Sequence, residues 1–140
     1  MVEGELFFAT AICQQTRLEG IFPTESGRAV WTPNTDVYLT EEKAVIKLEL
    51  AGVQKEDLEL TVEGNRIRIR GIRRDEQREG PRQFLMMEIH YGPFEAVVEI
   101  PPEYNLTEAR AVYTNGFLTI SIPRRREEPR RPTSVPIEEG

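Results

Sequence analysis

The sequence predicts an all-β fold, an antiparallel β-sandwich of immunoglobulin-like type. Apolar residues recur at every second position in several short runs, the period of strands with one face buried and one in water. Turn-forming residues separate these runs at short intervals, and no long amphipathic helix interrupts them.

Residues 1–30 stand apart as an N-terminal arm. Leu6, Phe7, Phe8, Ile12, Leu18, Ile21 and Phe22 are scattered there without a clean period, with room for a short helix over residues 7–18. From Trp31 the period becomes two. Ala44, Ile46, Leu48 and Leu50 alternate with Val45, Lys47 and Glu49, and Leu58, Leu60 and Val62 repeat the pattern. Ile67 and Ile69 alternate with Arg66, Arg68 and Arg70; Phe94, Ala96, Val98 and Ile100 follow, and residues 117–122 end the series. Glu63-Gly64-Asn65 predicts a tight turn, and Asn115-Gly116 predicts a hairpin joining residues 109–114 to 117–122. Thus residues 31–124 form the sandwich, and residues 125–140 form a C-terminal extension.

One stretch departs from the alternation. Residues 73–82 read RRDEQREGPR, charged and turn-rich, and lead into Phe84, Leu85, Met86 and Met87. An apolar patch inside a long loop is usually covered. It either folds back on its own sheet or pairs with the edge strand of a second copy.

Composition excludes several classes. The 140 residues are about one domain, 39% hydrophobic and 30% charged. A net charge of −6 and a pI near 5.0 argue against a dedicated nucleic-acid binder. No apolar run is long enough to span a membrane. The start MVEGELFF lacks a signal peptide's basic and apolar regions, and the single Cys13 has no partner for an internal disulfide, so a cytoplasmic protein is expected. No motif surrounds Cys13, which reads as a plain thiol.

Nothing in the chain reads as catalysis, and no cofactor or metal is expected. His90 is the only histidine, so a metal site would need carboxylates alone, and no serine elbow accompanies it. Neither phosphate-binding glycine motif appears. Acidic pairs such as Glu56-Asp57 fall in turns, where solvated carboxylates are ordinary. Arg66, Arg68 and Arg70, and the run from Arg124 to Arg131, lack interleaved aromatics for base stacking, and Glu127 and Glu128 break the latter. They read as solvated faces, with pairing to acidic patches on another subunit as the alternative.

Three segments together resemble a known family. ELAGVQKEDLELTVEGNRIRIRG resembles the first half of the alpha-crystallin domain of small heat-shock proteins. YGPFEAVVEIPPEYN resembles the family's Tyr-Gly-x-Phe segment. AVYTNGFLTISIP fits its A-x-x-x-n-G-x-L signature through Ala111, Asn115, Gly116 and Leu118. The likeness covers residues 31–124, with Ala51 standing where the family often has proline.

The resemblance implies an ATP-independent holdase that binds unfolding clients, suppresses their aggregation and passes them to ATP-driven chaperones. It also implies dimers built into larger homo-oligomers. The long loop before Tyr91 marks the bacterial and plant style, in which residues 83–87 would pair with a partner's strand near Asp36, Val37 and Tyr38. Leu58, Leu60, Val62, Ala109, Ala111 and Tyr113 would flank an edge groove. Val135 and Ile137, held extended by Pro136, would be the tail that plugs it. A promiscuous client surface suits the flexible apolar side chains of Leu6, Phe7, Phe8, Ile12, Ile21 and Phe22, and of Met86 and Met87. The alternative is a monomeric sandwich adaptor of the co-chaperone kind, without self-assembly.

Overall fold

The computed structural model describes residues 30–76, 80–126 and 132–140, with the backbone of residues 5–8. The strands are β1 (Glu5–Phe8), β2 (Thr35–Leu39), β3 (Lys43–Glu49), β4 (Leu58–Glu63), β5 (Arg66–Arg73), β6 (Gly92–Glu99), β7 (Arg110–Thr114) and β8 (Phe117–Pro123). They form two antiparallel sheets, one ordered β1-β7-β8-β3-β2 and the other β4-β5-β6. Only single 3-10 turns, Lys55–Asp57 and Leu106–Glu108, add helical character among the described residues.

Alternation accounts for the core. From the larger sheet Ala44, Ile46, Leu48, Ala111, Leu118, Ile120 and Ile122 turn inward; from the smaller, Ile67, Ile69, Phe94 and Ala96 meet them. Each large side chain so buried contributes roughly 1.5–3 kcal/mol relative to exposure. Val45 breaks the pattern: it points away from this cluster yet is buried, flanked in register by Tyr38 and Ser121.

Turn chemistry fixes the registers. Thr114 pairs with Phe117 across Asn115-Gly116, whose φ values of 52° and 80° suit a type I′ hairpin. Glu63 pairs with Arg66 across Gly64-Asn65. At the arm the structure differs from expectation: Phe7 and Phe8 lie in a strand, not a helix, because β1 pairs along the edge of β7. The remainder of the expected helix, and Cys13, lie outside the described residues.

Asp57 is also a departure. Expected as a solvated carboxylate, it is 1% exposed and takes two hydrogen bonds from the Arg74 guanidinium, Nε to Oδ2 at 3.0 Å and Nη2 to Oδ1 at 3.2 Å. The bidentate pairing makes burial of the charge tolerable. It also raises the Arg74 pKa, chiefly through that hydrogen bond.

Candidate functional site

Among the described residues, apolar side chains are exposed together at three places outside the core, besides single ones such as Val97 and Phe117. β2 is the outer strand of the larger sheet, and Val37, Tyr38 and Leu39 on it are about half exposed. No other described strand pairs with its free side, so a row of backbone donors and acceptors is open to an incoming strand. Asp36, the second residue of the strand, stands opposite Lys47.

The second place is the connection between β5 and β6. Phe84 is half exposed, Leu85 is 97% exposed, and Met86, Met87 and Ile89 stand clear as well. The segment therefore does not fold back on its own sheet. Among the described residues of this connection there is no strand. Its stem is braced: Arg74 grips Asp57, Gln54 donates to Glu76, and Arg82 pairs with Asp75 at 2.9 Å while lying over the Phe84 ring. At its return, Trp31 stacks on His90 and its indole N–H donates to the Gly92 carbonyl. The sequence reading missed Asp57 and Trp31 in these roles; neither has a local pattern announcing its distant partner.

The third place is the tail. Val135 is 81% and Ile137 96% exposed, so neither plugs a groove on its own sandwich. The expected groove residues divide between the two sheets, on the edge strand β4 and at β7, which β1 covers. Leu58, Leu60 and Val62 on β4 are half-buried against the core, as is Tyr113 on β7, whose hydroxyl donates to the Leu50 carbonyl at 2.6 Å. Ala109 and Ala111 are buried, and the backbone of β7 is flanked by β1. Burial raises the Tyr113 phenol above its ordinary value. Of the expected client-binding residues, Ile12, Ile21 and Phe22 lie outside the described residues. The backbone of Leu6, Phe7 and Phe8 runs along β7.

The arginine face is charge-paired from within the chain. β5 places Arg66, Arg68 and Arg70 on one side; Arg66 pairs with Glu99 at 2.8 Å, and Arg68 and Arg70 both approach Glu95. Glu59 and Glu63 stand opposite Arg70 and Arg66 on β4. Flanking carboxylates on both sides leave little excess positive charge for a phosphate backbone. Among the described residues, no His, Cys, Asp or Glu side chains gather as a metal site, and no helix is long and apolar enough to cross a membrane.

Comparison with known proteins agrees with this geometry. A model of the Hsp20/alpha crystallin family matches residues 36–138. The chain is 32% identical to spore protein SP21 of Stigmatella aurantiaca over 79% of its own length and 66% of that protein's. It is also 32% identical to a 17.6 kDa class I heat shock protein of Helianthus annuus, covering 79% of this chain and 74% of the relative. The fold resembles a solved small heat-shock protein of Xylella fastidiosa with a TM-score of 0.67 and 26% identity, over 78% of this chain and all of the other. The chain thus spans about two thirds of the length of the first of these relatives.

Proposed function

The chain belongs to the Hsp20/alpha crystallin family, and from that premise we propose that it is an ATP-independent holdase. It captures unfolding proteins, limits their aggregation, and works as a homodimer built into larger homo-oligomers. The observation that carries the reading is the placement of apolar surface. The core is closed, while Val37–Leu39, Phe84–Ile89 and Val135–Ile137 leave apolar side chains in water at sheet edge, loop and tail. Apolar surface of this extent on a lone chain is a mark of association. The solved Xylella fastidiosa relative is itself described as having a distinct high-order structure.

In the proposed dimer, residues 83–87 of each chain add as a strand to β2 of the other, main chain to main chain, with Leu85 and Met87 two apart on one face. Val135 and Ile137 dock on the half-buried β4 side of a further copy. Clients meet apolar groups, the arm residues together with Met86 and Met87, whose unbranched thioether side chains re-pack against many sequences. Work in the cytoplasm and transfer of clients to ATP-driven chaperones belong to the same reading.

The test joins two measurements. The native mass should be a multiple of a 32 kDa dimer, twice the 16.1 kDa chain. A heated reporter enzyme should scatter less light in its presence without ATP. A 16.1 kDa species at micromolar concentration that leaves scattering unchanged would instead support the monomeric adaptor.

A further inference from the structure

Trp31 is the only tryptophan in the chain, and it joins two parts of the proposed dimer surface within one protomer. A short link, Thr32-Pro33-Asn34, connects it to the receiving strand β2. Its backbone is sewn to the start of β6: its N–H donates to the Pro93 carbonyl at 3.2 Å, and its carbonyl accepts from the Glu95 N–H at 3.1 Å. The indole N–H donates to the Gly92 carbonyl at 3.1 Å.

The same indole gathers both ends of the donor loop. The last rung of the β5–β6 ladder is Arg73 opposite Gly92, so the loop leaves just after one and returns just before the other. The Arg73 guanidinium carbon lies 4.7 Å from the Trp31 ring, and the His90 ring stacks on it at 5.5 Å and 18°. Arg73 Nη1 then donates to the His90 carbonyl at 3.1 Å, closing the circle. Phe94, fully buried, supports the indole from the core side at 5.1 Å.

We propose that Trp31, Arg73 and His90 are positioning residues that fix the angle between the donor loop and the receiving strand, and thereby set the affinity of the dimer. The inference rests on the strand-exchange dimer proposed above. In a two-fold dimer each protomer donates and receives at once, so both contacts form only when loop and β2 hold one mutual orientation. A loop free to pivot at its base would have that orientation fixed on association, at a cost in affinity. The clamp fixes it beforehand. None of the three residues needs to touch the partner for this.

The test uses the full-length chain in sedimentation over a dilution series, beside thermal melts and the near-ultraviolet circular dichroism of the single indole. Arg73→Ala and His90→Ala should each raise the concentration at which monomer appears by about three- to ten-fold, the scale of a stacking or cation–π contact. The sandwich melt should move by only a few degrees, roughly what so small a contact produces. His90→Phe, which keeps a flat ring on Trp31, should restore both the dimer and the indole signal. A dimer equally tight in both alanine variants would overturn this inference and leave the strand-exchange dimer standing. Weakening that His90→Phe does not reverse would overturn the role of the stack. A wild-type chain that is monomeric throughout would overturn the exchange dimer, and the clamp with it.

Discussion

A methyl group added to Gly71 would collide with the Phe94 ring and stand 2.6 Å from the Asp57 carbonyl oxygen. Neither neighbour can retreat, since Phe94 is fully buried and the Asp57 side chain is gripped by Arg74. Gly71→Ala should therefore lose about 1–3 kcal/mol to overpacking, read as a lower urea midpoint with an unchanged slope. Tyr113 makes a second residue-level prediction. Its phenol is raised mainly by burial, so the folded state favours the neutral form. The associated stability is complete below the unfolded value of about 10 and is lost as pH climbs through the higher native value. Tyr113→Phe should cost about 1 kcal/mol at pH 7 through the bond to Leu50, and the gap from wild type should narrow above pH 10. Urea titrations at both pH values measure it. At this scale the sequence was least legible. Asp57 looks like any turn carboxylate until Arg74, 17 residues on, is brought across to it by the fold.

Elements were far more legible, because the pleat converts sequence parity directly into burial. In β3, β5, β6 and β8 the alternating apolar residues face the core, with Val98 only half-buried and Val45 buried against the alternation, and both two-residue hairpins close where the glycines stood. β2 was harder to see. Its burial does not alternate, since Asp36, Val37, Tyr38 and Leu39 are all exposed, so only the family likeness located it. β1 was invisible for a related reason: four residues carry too little pattern to outweigh an aperiodic arm. The exposure of β2 separates folding from pairing. Val37→Lys with Leu39→Lys should change the stability of the sandwich by less than about 1 kcal/mol. The same pair should weaken dimerisation at least about ten-fold by setting charge on a pairing edge, as seen in sedimentation equilibrium.

For the whole molecule, the sequence sets a patterned middle between two unpatterned ends, and β1 from the first of these joins the larger sheet. Just past β8 the chain is still tied to the sandwich: Arg124 and Arg125 donate backbone hydrogen bonds to the Glu42 and Glu103 carbonyls, and Arg125 Nε donates to the Pro102 carbonyl. Beyond them the V-P-I side chains stand free. In the proposed assembly the site where this tail docks is a property of several copies, which one chain's pattern does not encode. Changing both Val135 and Ile137 to Ala should shift the assembly to dimers by light scattering, with far-ultraviolet circular dichroism unchanged. An unaltered size distribution would remove the tail from the assembly.

The buried cluster contains no side chain from residues 80–91 or 132–140. In the proposed assembly the donor loop and the tail contribute side chains that the buried cluster does not use, so heat can act on association and on the fold one after the other. Calorimetry should resolve two events. Dissociation comes first, at a temperature that climbs with protein concentration; melting of the sandwich follows, at a temperature less sensitive to it. Between the two would lie an interval in which a folded chain carries its apolar edges uncovered; in the proposed holdase, the same rise in temperature that unfolds other proteins would set how many vacant edges meet them.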